Sequence, residues 1–295
     1  MNKELERHDV EEWIRNIPTG EFHYKGVLDG KVTPGSYDKL RKIMHYITHA
    51  KDPICEPVGK RDGYYRPVQR LPETLDWQSA GSRQQFPLIL PFNLREYVWI
   101  YPNTVTVVGG SKSSGKTGFL YRTIVLNMGK VNIILLSNME GGIEQMRDRF
   151  DVMGVEIPNP APWRTLRVDS NFHDFIKEPN TLYVIDYITA PEDEYWKIGT
   201  QITKIQRKLE NSVAVVGLQK PFNRDIAVGG EGTLRDATLY LALNKNKLKI
   251  VDAKVPNKPT VNPTNMQWTF LYDKAGTDFI NIQRTEDKPS YAQEG

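Results

Sequence analysis

Apolar and polar positions follow two different patterns along the chain, and the change falls near residue 99. In the earlier part, "SYDKLRKIMHYITHA" repeats apolar residues at Leu40, Ile43, Met44 and Ile47, which predicts an amphipathic helix with Ser36 as its N-cap. A shorter helix is predicted over "DVEEWIRN". Two short β-prone runs flank an Asp-Gly pair at 62–63, a sequence typical of a hairpin turn.

With the short strand "EFHY" and a small helix after it, these elements follow the order helix, strand, small helix, helix and hairpin. This order resembles a winged-helix domain, a relative of the helix-turn-helix, and we assign it to residues 1–70. Residues 71–94 are polar and turn-rich and are predicted to be a linker. The last residues, 284–295, are predicted to be a disordered tail.

From residue 99 onwards, strands and helices are predicted to alternate. The runs "TVTVVG", "NIILLSN", "TLYVIDY" and "VAVVGLQ" are almost continuously apolar, as in parallel strands covered on both faces. Helices are predicted over "KTGFLYRTIVLNM" and residues 194–209, and four later runs should extend the sheet in an antiparallel manner. Residues 95–283 are therefore predicted to form an α/β domain with a mostly parallel sheet flanked by helices.

The stretch "GGSKSSGKTG" follows the first of these strands and contains the P-loop pattern G-x-x-x-x-G-K-T. Glycines let the backbone close around an anion, and the next helix directs its positive end at the same phosphates. Lys116 should contact the β- and γ-phosphates, and the Thr117 hydroxyl should bind Mg²⁺. The predicted phosphate-binding positions are Gly110, Ser111, Ser113, Ser114, Gly115, Lys116, Thr117 and Gly118.

Two acidic residues complete the predicted hydrolytic site. Asp186 ends the apolar run "TLYVID", the arrangement of a metal-binding Walker B carboxylate, although such a residue also simply terminates strands. Glu140 follows "IILLSNM" and is a candidate base for activating water. Acids also favour helix N-termini, so the pattern alone leaves both roles open for Glu140.

The succession of the P-loop, "SNME", "GGIEQMRDR", "VIDY" and "VAVVGLQK" resembles the RecA-like ATPase core, most closely the DnaB-type helicase branch. The resemblance covers residues 95–283 and implies that Glu140 is the catalytic base and that Gln219 senses the γ-phosphate. It implies a functional arginine at Arg147 or Arg149. The glycine-rich loop 220–235 would bind DNA through Lys220, Arg224 and Arg235; the alternative is an ordinary flexible surface loop.

The sequence departs from the DnaB-type pattern at a late strand, where a Lys-x-Arg pair reaches the nucleotide of a neighbouring subunit. Lys254 fits the lysine, whereas Pro256 occupies the position of the arginine. Loss of such an arginine argues against rapid hydrolysis coupled to a ring. The "NKNK" stretch lacks the aspartate of a guanine-reading motif, so ATP is the predicted nucleotide.

Composition limits the class of protein and the cellular compartment that can be expected. The 295-residue chain has 39% hydrophobic residues, 25% charged residues and a net charge of +3, as in globular proteins without a strongly basic character. The single cysteine, Cys55, excludes an internal disulfide and is predicted to be a half-buried strand residue. Neither a signal peptide nor a membrane span is predicted, so we expect a cytoplasmic protein, or one acting in a host's cytoplasm.

Positive charge is nevertheless concentrated locally. Residues 25–70 carry ten Lys and Arg residues against five Asp and Glu residues. In a winged helix this pattern favours duplex DNA contacts, and the candidates are Lys39, Lys42, Lys60 and Arg61. The alternative is a solvated surface used for protein contacts.

The sequence is compatible with three functions. The first is a DNA-dependent ATPase, helicase- or translocase-like, that assembles as a homo-oligomer such as a hexamer and binds single-stranded DNA at its core. The second is an ATP-gated DNA-binding regulator or loader with slow turnover, which the proline at 256 favours. The third, a small-molecule phosphotransferase, is disfavoured by the predicted winged helix.

Overall fold

The computed structural model describes residues 5–17, 20–28, 36–59, 61–68, 77–79, 84–139, 141–273 and 278–285. Lys60, Glu140 and residues 286–295 of the predicted tail lie outside these ranges. The chain divides into two compact units, residues 1–80 and residues 81–295. None of the helices in the described ranges is long and apolar enough to cross a membrane.

The described residues of the smaller unit form two α-helices and three short strands, with a short 3-10 helix at Tyr24–Leu28 between β1 and the second α-helix. The helices are α1 (Arg7–Arg15) and α2 (Ser36–Thr48), and the strands are β1 (Phe22–His23), β2 (Cys55–Pro57) and β3 (Tyr64–Pro67). The strands form an antiparallel sheet in the order β1-β3-β2. The elements follow the predicted order, and the winged-helix interpretation stays a prediction.

The apolar stripe predicted for α2 lies in the core of the smaller unit. Leu40, Met44 and Ile47 are buried, and Ile43 packs at the margin of the same cluster. Cys55 is fully buried in that cluster rather than half-buried, because it lies on the inner face of β2. Burial raises the pKa of its thiol to about 11, so the side chain behaves as a small apolar group.

The larger unit, over its described residues, contains nine strands and three α-helices. The strands are β4 (Thr104–Gly110), β5 (Asn132–Ser137), β6 (Arg164–Arg167), β7 (Thr181–Ile188), β8 (Val213–Gln219), β9 (Ala237–Asn244), β10 (Lys247–Ala253), β11 (Gln267–Asp273) and β12 (Asp278–Thr285). The helices are α3 (Lys116–Asn127), α4 (Gly142–Asp151) and α5 (Lys197–Lys208).

All nine strands belong to one sheet, in the order β12-β11-β10-β9-β4-β8-β7-β5-β6. The strands from β9 to β6 pair in parallel, whereas β10, β11 and β12 extend the sheet in an antiparallel manner. Helix α3 packs on one face and α5 on the other, each burying an apolar side in its own core cluster. The predicted α/β fold class, a mostly parallel sheet flanked by helices, is confirmed.

In the larger unit the structure differs from the sequence-based prediction at three places. Arg284 and Thr285, assigned to the disordered tail, pair with β11 as the end of β12. Phe86, Leu88, Leu90 and Leu94 are buried in the larger unit, so residues 84–94 pack there although we had assigned them to the linker. Their alternating apolar side chains find a place beside α3, where the side-chain amide of Asn127 bonds both the N–H and the C=O of residue 89. Strand β6 was not predicted, because an edge strand with the sequence "RTLR" has no apolar run.

Candidate functional site

The carboxyl ends of four parallel strands meet at one edge of the large sheet. Strand β4 ends at Gly110, which is the register partner of Gln219 at the end of β8. On the next pair of strands, Ser137 at the end of β5 is the partner of Asp186 in β7. Open α/β sheets bind ligands beyond this edge. Here the edge carries three predicted site residues, Gly110, Gln219 and Asp186.

The P-loop turns from β4 into α3, whose first residue is Lys116, as predicted. Two close approaches require glycine in this turn. A Cβ at Gly110 would lie 2.7 Å from Ser114 Oγ, and a Cβ at Gly115 would lie 2.5 Å from Cε1 and Oη of Tyr272. Gly115 also has a φ of +85°, in the left-handed region that favours glycine. A larger residue at either position requires a shift of the loop or of the side chain that it meets.

The P-loop borders a cavity of about 520 Å³. Every residue from Gly110 to Thr117 lines it, together with Asp186 and Gln219, whereas Gly118 is buried inside α3. The Ser114 hydroxyl is buried and has no hydrogen-bond partner within the described residues. The structure therefore brings the P-loop, the Walker B candidate and the candidate sensor together around one cavity.

The side chains fit a nucleotide with a bound divalent cation. Thr117 Oγ1 donates a hydrogen bond to Asp186 Oδ1 at 3.3 Å, so a hydroxyl and a carboxylate oxygen lie side by side. Oxygen atoms of this kind are the ligands that Mg²⁺ prefers. Lys116 Nζ lies 3.6 Å from the centroid of the Tyr187 ring, in a cation–π contact that keeps the ammonium group at the cavity.

Helix α4 also lines the cavity, and its position distinguishes between the two candidate arginines. Arg149 lines the cavity with Gln145 and Met146. Arg147 points to solvent, with its Nε atom 3.9 Å from Asp151 Oδ2. The resemblance left both arginines open, and the geometry favours Arg149. The predicted base Glu140, which precedes this helix, lies outside the described residues.

Sequence reasoning missed several residues of the cavity, including Lys112, Tyr121 and Gln145. Tyr121 and Thr117 are four residues apart on α3, a spacing that puts two side chains on one helix face. This spacing was a readable signal for Tyr121. No comparable signal marked Gln145, whose position depends on where α4 crosses the sheet edge.

Lys220, the first residue of loop 220–235, is buried and holds the loop through hydrogen bonds. Its Nζ atom donates hydrogen bonds to Asn244 Oδ1 at 2.6 Å, to the Arg224 carbonyl at 2.7 Å and to the Pro221 carbonyl at 3.3 Å. Burial lowers the pKa of Lys220, although Asp225 opposes that change. The structure thus places the ammonium group inside the loop, where it braces the backbone, and not on the loop's surface.

The rest of loop 220–235 is also tied to the domain. The Ala227 N–H donates to the hydroxyl of buried Tyr240 at 2.9 Å, and the Arg235 guanidinium donates to Thr203 Oγ1 at 2.7 Å. The Lys254 ammonium group, assigned a role in a neighbouring subunit, donates here to the Arg235 carbonyl of its own chain. Arg224 remains exposed.

Among the predicted DNA contacts of the smaller unit, Lys42 and Arg61 are exposed and Lys39 is half-buried. Arg61 Nη1 lies 3.4 Å from Glu21 Oε2, and its guanidinium lies 6.0 Å from the Tyr64 ring centroid. Lys60 lies outside the described residues. The side chains of Lys39, Lys42 and Arg61 therefore lie wholly or partly at the surface.

Comparison with solved structures finds similar chains. No protein-family model matches the chain, and no curated protein matches it. The chain is similar to the crystal structure of the RadB recombinase, with 18% sequence identity, covering 63% of this chain and 92% of that chain, at a TM-score of 0.42. The function of this chain is therefore inferred from the cavity at the sheet edge.

Proposed function

We propose that this protein is a DNA-dependent ATPase with a RecA-like core that acts in DNA recombination or replication. The observation that carries the proposal is the cavity at the sheet edge, where the P-loop, Lys116, Thr117, Asp186 and Gln219 converge. A closed phosphate cradle beside a hydroxyl–carboxylate pair is the arrangement that nucleoside triphosphate hydrolysis requires.

In this proposal the cradle binds the triphosphate and fixes its orientation. The P-loop backbone and the start of α3 face the phosphates, and the Ser114 hydroxyl supplies a donor that no described residue engages. Lys116 moves from the Tyr187 ring to the β- and γ-phosphates. Thr117 and Asp186 hold Mg²⁺, which when bound neutralises charge on the β- and γ-phosphates.

Hydrolysis needs a base for water and donors for the terminal phosphate. Glu140 is proposed as the base on the resemblance alone. Arg149 is proposed to balance charge that develops on the γ-phosphate, because it lines the same cavity as the P-loop. Gln219 ends β8 beside Gly110 and is proposed to report the γ-phosphate to loop 220–235.

Single-stranded DNA is proposed to bind on the exposed part of loop 220–235. Phe222 is 72% exposed although it is a large apolar residue, and Arg224 is exposed beside it. An aromatic ring with a neighbouring cation suits base stacking and phosphate contact. The smaller unit is proposed to bind duplex DNA as a winged helix through Lys39, Lys42, Lys60 and Arg61, and the order of its antiparallel sheet supports this interpretation.

A second candidate is an ATP-gated DNA-binding regulator or loader with slow turnover. Two observations favour it: Pro256 occupies the position of the trans-acting arginine, and Lys254 is engaged within its own chain. In either case, a homo-oligomer such as a hexamer would place one subunit's late strands near the next subunit's nucleotide. The two candidates differ in turnover and share the ATP site.

ATP hydrolysis measured with and without single-stranded DNA tests the proposal. We expect DNA to stimulate hydrolysis, and Lys116→Ala to reduce the rate by about 100-fold or more because charge stabilisation at the phosphates is lost. ATP-dependent DNA binding with negligible turnover would support the regulator instead. Absence of ATP binding by calorimetry would reject both.

Glu140→Gln tests the assignment of the base. The variant should still bind ATP, since the amide keeps the size of the carboxylate, but its hydrolysis rate should fall by about 100-fold. A rate within twofold of that of the unaltered protein would reject Glu140 as the base.

A further inference from the structure

One tyrosine of the cavity has no part in the mechanism described so far. Tyr121 lies on α3 one helical turn beyond Thr117, so its side chain leaves the helix on the same face as the Thr117 hydroxyl. It is only 4% exposed, yet it lines the cavity together with Asp186 and Arg149. A residue this buried that still borders the cavity presents a small, defined part of its side chain there.

Aromatic packing fixes the Tyr121 ring. The ring stacks on Phe150 with centroids 4.6 Å apart and planes 5° apart, and Phe150 packs in turn against Trp163 at 5.0 Å. Both Asp186 and Arg149 act on the Tyr121 hydroxyl through their charges. Since one face of the ring is covered and the hydroxyl lies near both charges, the hydroxyl end faces the cavity.

The hydroxyl is an unused hydrogen-bond donor. Within the described parts of the chain, Tyr121 Oη has no hydrogen-bond partner. Burial raises the pKa of Tyr121, and the nearby Asp186 raises it further, while Arg149 acts in the opposite direction. The phenol therefore keeps its proton at neutral pH and can donate to a negatively charged oxygen.

The position of Tyr121 within the cavity identifies that oxygen. In P-loop NTPases the hydroxyl after the P-loop lysine and the Walker B carboxylate lie where the β- and γ-phosphates meet. Tyr121 lines the same cavity as both of these groups, one helical turn beyond Thr117, and Arg149 lines it as well. A donor in this position faces the terminal phosphate, whereas the α-phosphate and the base lie farther along the P-loop.

We propose that the Tyr121 hydroxyl donates a hydrogen bond to the γ-phosphate and, with Arg149, makes the cavity bind ATP more tightly than ADP. This inference rests on the proposed function, because it takes ATP as the ligand. ADP lacks the accepting oxygens, so the contribution of Tyr121 disappears when the γ-phosphate has left. Tyr121 thereby helps the site to distinguish the substrate from the product.

Binding calorimetry with Tyr121→Phe tests this proposal, since phenylalanine keeps the stacking on Phe150. With Mg²⁺ and a non-hydrolysable ATP analogue, we expect the Kd to rise about tenfold, the effect of one hydrogen bond to a charged acceptor. The Kd for ADP should change less than about twofold. The difference between the two nucleotides is a readout that a general loss of structure would not produce.

Tyr183→Phe is the matched control. The Tyr183 hydroxyl is also buried, but it accepts from the Glu178 N–H at 2.7 Å and donates to the Glu178 carbonyl at 3.0 Å, away from the cavity. This control should lower the melting temperature and leave both dissociation constants unchanged.

Equal weakening of both nucleotides in Tyr121→Phe, or no weakening of the analogue, would overturn the inference while leaving the ATP site intact. If the unaltered protein binds neither nucleotide, the proposed function fails and the inference fails with it.

Discussion

Two proposed binding sites differ in how they are built: the cavity lined by the P-loop in the larger unit, and the surface that carries Lys42 and Arg61 in the smaller unit. In the cavity, buried backbone and glycines set the geometry, and a Cβ at Gly110 or Gly115 would collide with neighbouring atoms. On the smaller unit, exposed side chains such as Lys42 and Arg61 supply charge from α2 and the hairpin. One site depends on shape and the other on the sum of its charges.

The difference predicts how each site responds to substitution. A cavity shaped by close contacts should lose its function when a single methyl group is added, because the loop must shift as a whole. A charged surface should lose affinity in small steps, each roughly equal to one phosphate contact. If a methyl group is tolerated in the cavity, or a single charge removes most of the affinity at the surface, that site does not depend on the feature assigned to it.

The largest effect is expected for Gly115→Ala. The added methyl group would meet the Tyr272 ring at 2.5 Å, and alanine would have to keep a φ of +85°. We expect the affinity for ATP, measured by calorimetry, to fall about 100-fold, because small displacements of a phosphate-binding group have effects of this size.

Gly129→Ala separates backbone strain from the collision. Gly129 has a φ of +73°, but a Cβ there would meet nothing within 4 Å. This control should destabilise the fold by about 1 kcal/mol and leave ATP binding intact. Unchanged ATP binding in Gly115→Ala would contradict the view that close packing shapes the cradle.

The next largest effect is expected for Arg149→Ala, with Arg147→Ala as its control on the same helix. Arg149 lines the cavity, whereas Arg147 lies at the surface near Asp151. Loss of the cavity arginine should lower the kcat for ATP hydrolysis by about 30-fold, and loss of the surface arginine should change it less than about twofold. If Arg147→Ala lowers the kcat more than Arg149→Ala does, the functional arginine is Arg147 and the prediction is wrong.

The sequence was sufficient to predict features of the larger unit that repeat locally. The runs at 181–187, 213–219 and 237–244 coincide closely with β7, β8 and β9, because a strand buried on both faces must be apolar throughout. The P-loop was equally readable, since its glycines are dictated by the loop itself. Edge strand β6 lacked such a constraint, because one of its sides has no neighbouring strand.

Residues whose role depends on distant neighbours were not predictable in the same way. Lys220 appeared in the sequence as one basic residue of a glycine-rich loop, but Asn244 and two loop carbonyls surround its ammonium group. The choice between Arg147 and Arg149 required the rotation of α4 against the sheet. Both facts follow from tertiary packing, which the local pattern does not contain.

Loop 220–235 combines the two kinds of site, and Lys220→Met compared with Arg224→Met sharpens the contrast. Without the ammonium group, the Asn244 side chain and two carbonyls lose a buried donor, so we expect affinity for single-stranded DNA to fall about tenfold. The dependence of affinity on salt should stay the same, because Lys220 is buried and neutralises no phosphate.

Arg224→Met should instead reduce the salt dependence by about one counterion, as expected for an exposed phosphate contact. If Lys220→Met also reduces the salt slope, then Lys220 contacts DNA directly and the loop opens on binding.

The smallest effect is expected for the double substitution Lys42→Ala and Arg61→Ala in the smaller unit. If both side chains contact phosphates, affinity for duplex DNA should fall about fivefold at moderate salt, and the slope of log affinity against log salt should fall by about two. ATP hydrolysis without DNA should remain at the level of the unaltered protein. Lys130→Ala removes an exposed lysine of the larger unit, just beyond the C-terminal end of α3, and should leave the slope unchanged. An unchanged slope in the double variant would assign this basic surface to protein contacts, and the contrast between a shaped site and a charged site would then hold only within the larger unit.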